Sequence, residues 1–190
     1  MSENRRNTME NRRRRRPESG ALGRRTAVCG VLTSLALALS YVEALVPASG
    51  TLPGIKLGLA NMAVLVALYA LGPGYAFAVN GVRILLAGAL FGTPFSMAYA
   101  ACGGLVSFLG MWGLQKTKKF SMAAISMAGG VLHNTGQVAV AVLLLNTTEL
   151  WSLLTPLGIA GMVCGLVTGM VATLVYRRLP KGLLPQERRA

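Results

Sequence analysis

Residues 128–145 read AGGVLHNTGQVAVAVLLL, and they hold the chain's single histidine together with an asparagine and a glutamine. The rest of the stretch is Ala, Val, Leu, Gly and one Thr. Joined to the residues from 121 onward, it has the length of a membrane crossing, roughly 20 apolar residues. Side chains three and four apart share a helix face, so His133 stacks over Gln137 with Asn134 beside the pair. Three hydrogen-bonding groups inside an apolar helix require partners on neighbouring helices or on a ligand.

The same apolar density continues to both sides. Further spans are expected over 27–46, which ends at Pro47, over 57–71, 75–91, 95–115 and 152–176, with 121–145 as the fifth. The run at 57–71 is short for a crossing and follows a turn-rich piece, PASGTLPGIK. The expected fold is all-α, an integral membrane bundle of six transmembrane helices over 26–178.

Composition agrees with that reading. Of the 190 residues, 53% are hydrophobic and 13% charged, against roughly 25% charged in soluble domains. Residues 1–25 carry nine arginines, and five more basic residues fall in 177–190. Between Thr26 and Tyr176 the only basic residues are Lys56, Arg83, Lys116, Lys118 and Lys119, and the only acids are Glu43 and Glu149. An excess of Lys and Arg marks cytoplasmic loops. The two termini and the QKTKK loop then lie inside, while 47–54, 92–94 and 146–151, which lack Lys and Arg, lie outside. Residues 1–25 read as a disordered basic cytoplasmic tail and 179–190 as a second cytoplasmic tail. NRRRRRPESG is an anchor beside a membrane rather than a nucleic-acid-binding module.

Cys29, Cys102 and Cys164 sit singly in apolar runs and read as packing residues. Gly161, Gly165 and Gly169 form a ladder on one face of the last helix, and Ser34 with Ala38 and Ala36 with Ser40 make small faces on the first. Such faces let helix backbones approach closely. They fit packing within the bundle or docking of another membrane subunit.

Ionisable groups inside a span mark functional sites. Arg83 is central to the third span, with Asn80 one turn before it and Glu43 as its nearest candidate counter-charge. Lys56, Asn61, His133, Asn134 and Gln137 complete a set of eight candidate ligand-binding residues. Either they satisfy one another and fix the packing, or they line a pocket open to the outside. A pocket of this charge favours an anionic small molecule.

Three blocks, LPGIKLGLANMAVLVALYALGP at 52–73, RILLAGALFGTPFSMAYAACGGLVS at 83–107 and GGVLHNTGQ at 129–137, resemble the Gx transporter family, known also as heptaprenyl diphosphate synthase component I. That family is similar to the substrate-binding S components of energy-coupling-factor transporters. The resemblance implies a bacterial inner-membrane protein that captures a small molecule beneath the 47–56 loop. It also implies docking through Ser34 and Ala38 on a coupling transmembrane subunit served by cytoplasmic ATPases. The other name implies a membrane subunit of a prenyl synthase.

Catalysis is not expected. Magnesium at a diphosphate prefers hard carboxylate and water oxygens, and the chain has no aspartate. No P-loop pattern, histidine pair or Ser/His/Asp set is present. No metal or cofactor site is expected, and any energy for uptake has to come from partners.

Overall fold

The structure, a computed structural model, describes residues 3–45 and 58–180. Lys56 and the 47–56 loop lie outside the described residues, as do 181–190 of the C-terminal tail. Every regular element among the described residues is helical: α1 Glu3–Leu45, α2 Asn61–Ala70, α3 Pro73–Phe91, α4 Pro94–Thr117, α5 Met122–Leu145, a 3-10 turn Thr148–Leu153, and α6 Leu154–Arg178.

Five of these are long and apolar enough to cross a membrane, beginning with Leu22–Leu45 within α1. The second of the six expected spans is present only as the ten-residue α2. At 1.5 Å per residue α2 extends about 15 Å, half of the about 30 Å of hydrocarbon. Glycines set its limits: Gly58 (φ 87°) and Gly72 (φ 100°) adopt left-handed backbone on either side of it, and side chains other than glycine rarely take that conformation. The apolar run of 57–71 therefore begins with a turn rather than a helix. At the other end of the chain, α1 runs back to Glu3 through a segment expected to be a tail without regular structure. Arg and Glu are strong helix formers, and they continue the helix of the first span.

A helix that is apolar all round is a buried helix. In α2, Asn61, Ala63, Val64, Leu65, Val66, Ala67, Leu68 and Ala70 are all buried. The other helices surround it, and the main apolar core includes Leu32 and Ala36 of α1, Val79 of α3, Phe108 and Met111 of α4, Ile125 of α5 and Ala172 of α6. The lower end of α2 is tied down by Gln115, whose side-chain amide donates to the Leu68 carbonyl at 3.2 Å. Tyr69 and Tyr176 meet edge to face nearby, at 5.8 Å between ring centroids.

Helix boundaries follow local chemistry. Thr93 caps α4 by accepting the Ser96 N–H at 3.1 Å, while its own N–H donates to the Ser96 hydroxyl at 2.8 Å. Pro94 fills the first turn, where no N–H is needed. Ser121 caps α5 through the Ala124 N–H at 3.2 Å.

The glycine ladder of α6 packs inside the bundle. A Cβ on Gly161 would lie 2.7 Å from the Gly130 carbonyl oxygen, one on Gly165 2.6 Å from the Ser126 carbonyl oxygen, and one on Gly169 2.8 Å from Ala123 Cα. The backbones of α5 and α6 touch, and the ladder is an internal seam rather than a docking face.

Candidate ligand-binding site

Arg83 projects from the middle of α3 and is 2% exposed. Its Nε and Nη2 donate to Asn80 Oδ1 at 3.2 and 2.8 Å, one turn earlier on the same helix. Nη1 reaches Ser40 Oγ of α1 and Nη2 reaches Asn61 Oδ1 of α2, both at 3.5 Å. The acceptors are themselves engaged. Asn80 Nδ2 donates to the Gly104 carbonyl of α4 at 3.0 Å. Asn61 Nδ2 donates to Ser107 Oγ at 3.0 Å, and that hydroxyl donates to the Gly129 carbonyl of α5 at 2.8 Å. A single chain of polar contacts thus runs from α1 through α3, α2 and α4 to α5.

Glu43, near the end of α1, is buried and accepts the Leu59 N–H at 2.7 Å. It holds the turn that leads into α2.

His133 and Gln137 stack as their spacing predicts, with the ring Nε2 hydrogen-bonded to the Gln137 amide. Both are buried. Two glycines make room for the imidazole. A Cβ on Gly103 would lie 2.7 Å from the His133 carbonyl oxygen and 3.1 Å from its Nδ1; one on Gly58 would lie 3.3 Å from its Cδ2 and 3.2 Å from Asn61 Nδ2. His133 therefore faces the turn before α2 and adjoins the Arg83 network through Asn61.

Six of the eight candidate residues are brought together in this way: Glu43, Asn61, Asn80, Arg83, His133 and Gln137. Asn134 is not. Its side-chain amide donates to the Leu157 carbonyl of α6 at 2.5 Å, which places it in the α5–α6 seam. One residue of helical rotation separates it from His133, and that is enough to aim it at a different neighbour. Lys56 lies outside the described residues.

Four contributors were missed by sequence reasoning: Ser40, Ser107, the Leu59 backbone N–H and the Gly58/Gly103 pair. Serine is common in membrane helices and carries no special pattern. Only Ser40, four residues after Ala36, had any signal. On α1 the two small faces separate cleanly: Ala36 and Ser40 are buried against the core, while Ser34 and Ala38 are exposed.

The model of the heptaprenyl diphosphate synthase component I family matches residues 32–175. The chain belongs to that family. No curated protein and no solved structure matches it. The match begins in α1 and ends in α6, so it contains every residue of the polar site. The name of the heptaprenyl diphosphate synthase component I family raises the question of magnesium, which favours carboxylate oxygens. Glu43 is committed to the turn before α2, and Glu149 is exposed in the 3-10 turn. Among the described residues no three His, Cys, Asp or Glu side chains gather. These side chains do not fit a magnesium–diphosphate centre.

Proposed function

We propose that the chain is a non-catalytic, membrane-embedded subunit of a heptaprenyl diphosphate synthase, and that it holds an anionic small molecule at the Arg83 site. The family match over 32–175 carries the assignment to a synthase. A guanidinium buried between α1, α2 and α3 supports the binding role, because a charge at that depth is expensive to keep for packing alone. In this reading the five long helices and the half-length α2 form six membrane segments in the bacterial inner membrane. Arg24 and Arg25, Lys116 to Lys119, and Arg177 with Arg178 mark the cytoplasmic side.

A second reading has its own support. The exposed side of α1 carries a stripe of Gly23, Ala27, Gly30, Ser34 and Ala38 beside large residues such as Val31 and Leu35, and a Cβ on Gly30 would have no heavy atom within 4 Å. By contrast, the exposed face of α6 is built of Ile159, Met162, Val163, Val167 and Leu174, large side chains suited to lipid. A face of small residues suits close approach by another helix. It fits docking on a coupling transmembrane subunit, with the chain serving as the substrate-binding part of an ATPase-powered uptake system.

One purification separates the two. The tagged chain is drawn gently from its own membrane and its companions are identified by mass spectrometry. A prenyl synthase subunit in stoichiometric amount supports the first reading. A membrane protein accompanied by two ATPases selects the second, and Ala38→Leu is then expected to release them without loss of folded chain. Neither companion set overturns both.

A further inference from the structure

The long helices do not close a ring around α2. Packed pairs run α1–α3, α3–α4, α4–α5 and α5–α6, and α1 and α6 each pack on α2. Among the described residues no extended contact joins α1 to α6, so the ring is open between them. Its floor is α2, whose only half-buried side chains, Met62 and Tyr69, are seven residues apart and share a face. Tyr69 there meets Tyr176 of α6.

On the side of α6 turned off the α5 seam lies an open groove of about 390 Å³, lined by Leu174, Val175, Arg178 and Leu179. Ligand pockets commonly have volumes of roughly 300–1,000 Å³. The four residues form two rows, 174 with 178 and 175 with 179, and positions four apart share a helix face. Val175 and Leu179 pack against the main core, whereas Leu174 is 64% exposed. Arg178 is exposed in the last turn of α6, where the proposed topology puts the cytoplasmic surface of the membrane. The groove is therefore apolar where it meets hydrocarbon and cationic where it meets the head groups.

The charges at this end have one sign. Arg177 adjoins Arg178, and Lys116, Lys118 and Lys119 follow α4 to the same side, all of them exposed. Glu43 and Glu149, the two acids between Thr26 and Tyr176, lie at the opposite end. None of the hydrogen bonds of Arg83 reaches α6, so the groove is separate from the polar network. Its complement is a molecule with an apolar chain and an anionic head. A guanidinium suits phosphate, which it can hold with two parallel bonds. The groove is the width of one helix face and takes one chain rather than the two of a phospholipid.

We propose that this groove receives a prenyl diphosphate, with the diphosphate on Arg178 and the first isoprene units against Leu174, Val175 and Leu179. Between Leu174 and Leu179 the helix rises about 7.5 Å, so the groove holds the head end of the chain and leaves the remainder in the bilayer. The proposal rests on the synthase reading and gives the membrane subunit a part in it: seating the product where its head meets water and its tail meets lipid.

The test uses the full chain in phosphatidylcholine nanodiscs, with empty nanodiscs as the blank and geranylgeranyl diphosphate as the probe, titrated calorimetrically. Wild type is expected to bind the probe saturably. Arg178→Gln should bind it about tenfold more weakly or worse, the loss that goes with a hydrogen bond to a charged group. Leu174→Trp fills the groove with Arg178 in place and should weaken binding as much. Both positions are exposed, so both variants should fold. Leu143→Trp, on the exposed face of α5, should bind as wild type does. Geranylgeraniol, which lacks the head, and inorganic diphosphate, which lacks the chain, should show no saturable binding above the blank. Equal affinities in wild type, Arg178→Gln and Leu174→Trp overturn the proposal. Displacement of the probe by an equal concentration of phosphatidylglycerol also overturns it, because the groove would then be an anionic phospholipid site. Either failure would leave a co-purifying synthase subunit, and with it the synthase reading, untouched. Absence of that subunit would overturn the synthase reading without altering the titration.

Discussion

The two sides of the bundle are held by different means. Between α5 and α6 the helices meet through Gly130, Gly161, Gly165 and Gly169, with backbone against backbone. On the other side, α1, α3 and α4 meet α2 through Ser40, Arg83, Asn80, Asn61 and Ser107, with side chain against side chain. Backbone contact has one arrangement, because neither helix can yield without moving as a whole. A side-chain network has several, because a rotamer change can trade one partner for another. The first region is suited to rigidity and the second to accepting a ligand. The buried polar groups follow this division: Asn134 spends its amide on the seam, whereas His133, one residue earlier, faces the network.

The sharpest way to break the comparison is Gly130→Leu. A Cβ there would fall on the Gly161 carbonyl oxygen, and backbone cannot step aside. The cost should exceed the about 1–3 kcal/mol of ordinary overpacking, so little monodisperse protein should survive size-exclusion chromatography. Normal recovery would mean that the seam is pliable.

Arg83→Met comes next. It leaves Asn80 Oδ1, Ser40 Oγ and Asn61 Oδ1 short of a donor, a cost above the about 1–3 kcal/mol of one unsatisfied buried group. The variant should still fold but melt well below wild type in detergent. A melting temperature equal to wild type would show that the network carries no weight. Asn61→Ala cuts the chain of contacts at its centre, leaving Ser107 and one Arg83 nitrogen short of a partner. A loss of about 1–3 kcal/mol is expected, smaller than for Arg83→Met in the same melting assay. If Asn61→Ala is the more damaging, the hub is the amide rather than the guanidinium. The smallest effect belongs to Thr168→Val, which deletes a 3.2 Å contact with Ser126 inside the seam. Interhelical hydrogen bonds of this kind average about 0.6 kcal/mol, so the melting temperature should barely move. A large drop would show that polar contacts, and not glycine packing, hold α5 to α6.

Much of this was legible in the residues. Apolar run length placed α3 to α6 within a few residues of their ends, and the spacing of Gly161, Gly165 and Gly169 announced a close-packed face. The intramembrane polar residues could be named because each is conspicuous in its surroundings. What each one touches could not be read, because a neighbour across a bundle leaves no mark in local sequence. That is why Asn134 was grouped with His133, and why Ser40 and Ser107 were passed over. The length of α2 was hidden for another reason. An apolar run from Leu57 to Leu71 looks the same whether Gly58 continues a helix or turns the chain, and only the left-handed φ of Gly58 decides it. The reach of α1 back to Glu3 was not legible because a charge run says nothing of backbone conformation, and Arg-rich segments can extend a helix already begun.

The most direct test is native mass spectrometry of the chain released gently from its own membrane, comparing wild type with Arg83→Lys and Asn61→Ala. Arg83→Lys keeps the charge and removes the two-pronged fork, so it probes recognition more than stability. The expected result is a wild-type protein carrying a small acid-bearing molecule that both variants have lost while remaining folded. Wild type and variants equally loaded, or all three empty, would contradict a ligand held at Arg83 and leave the network as packing alone.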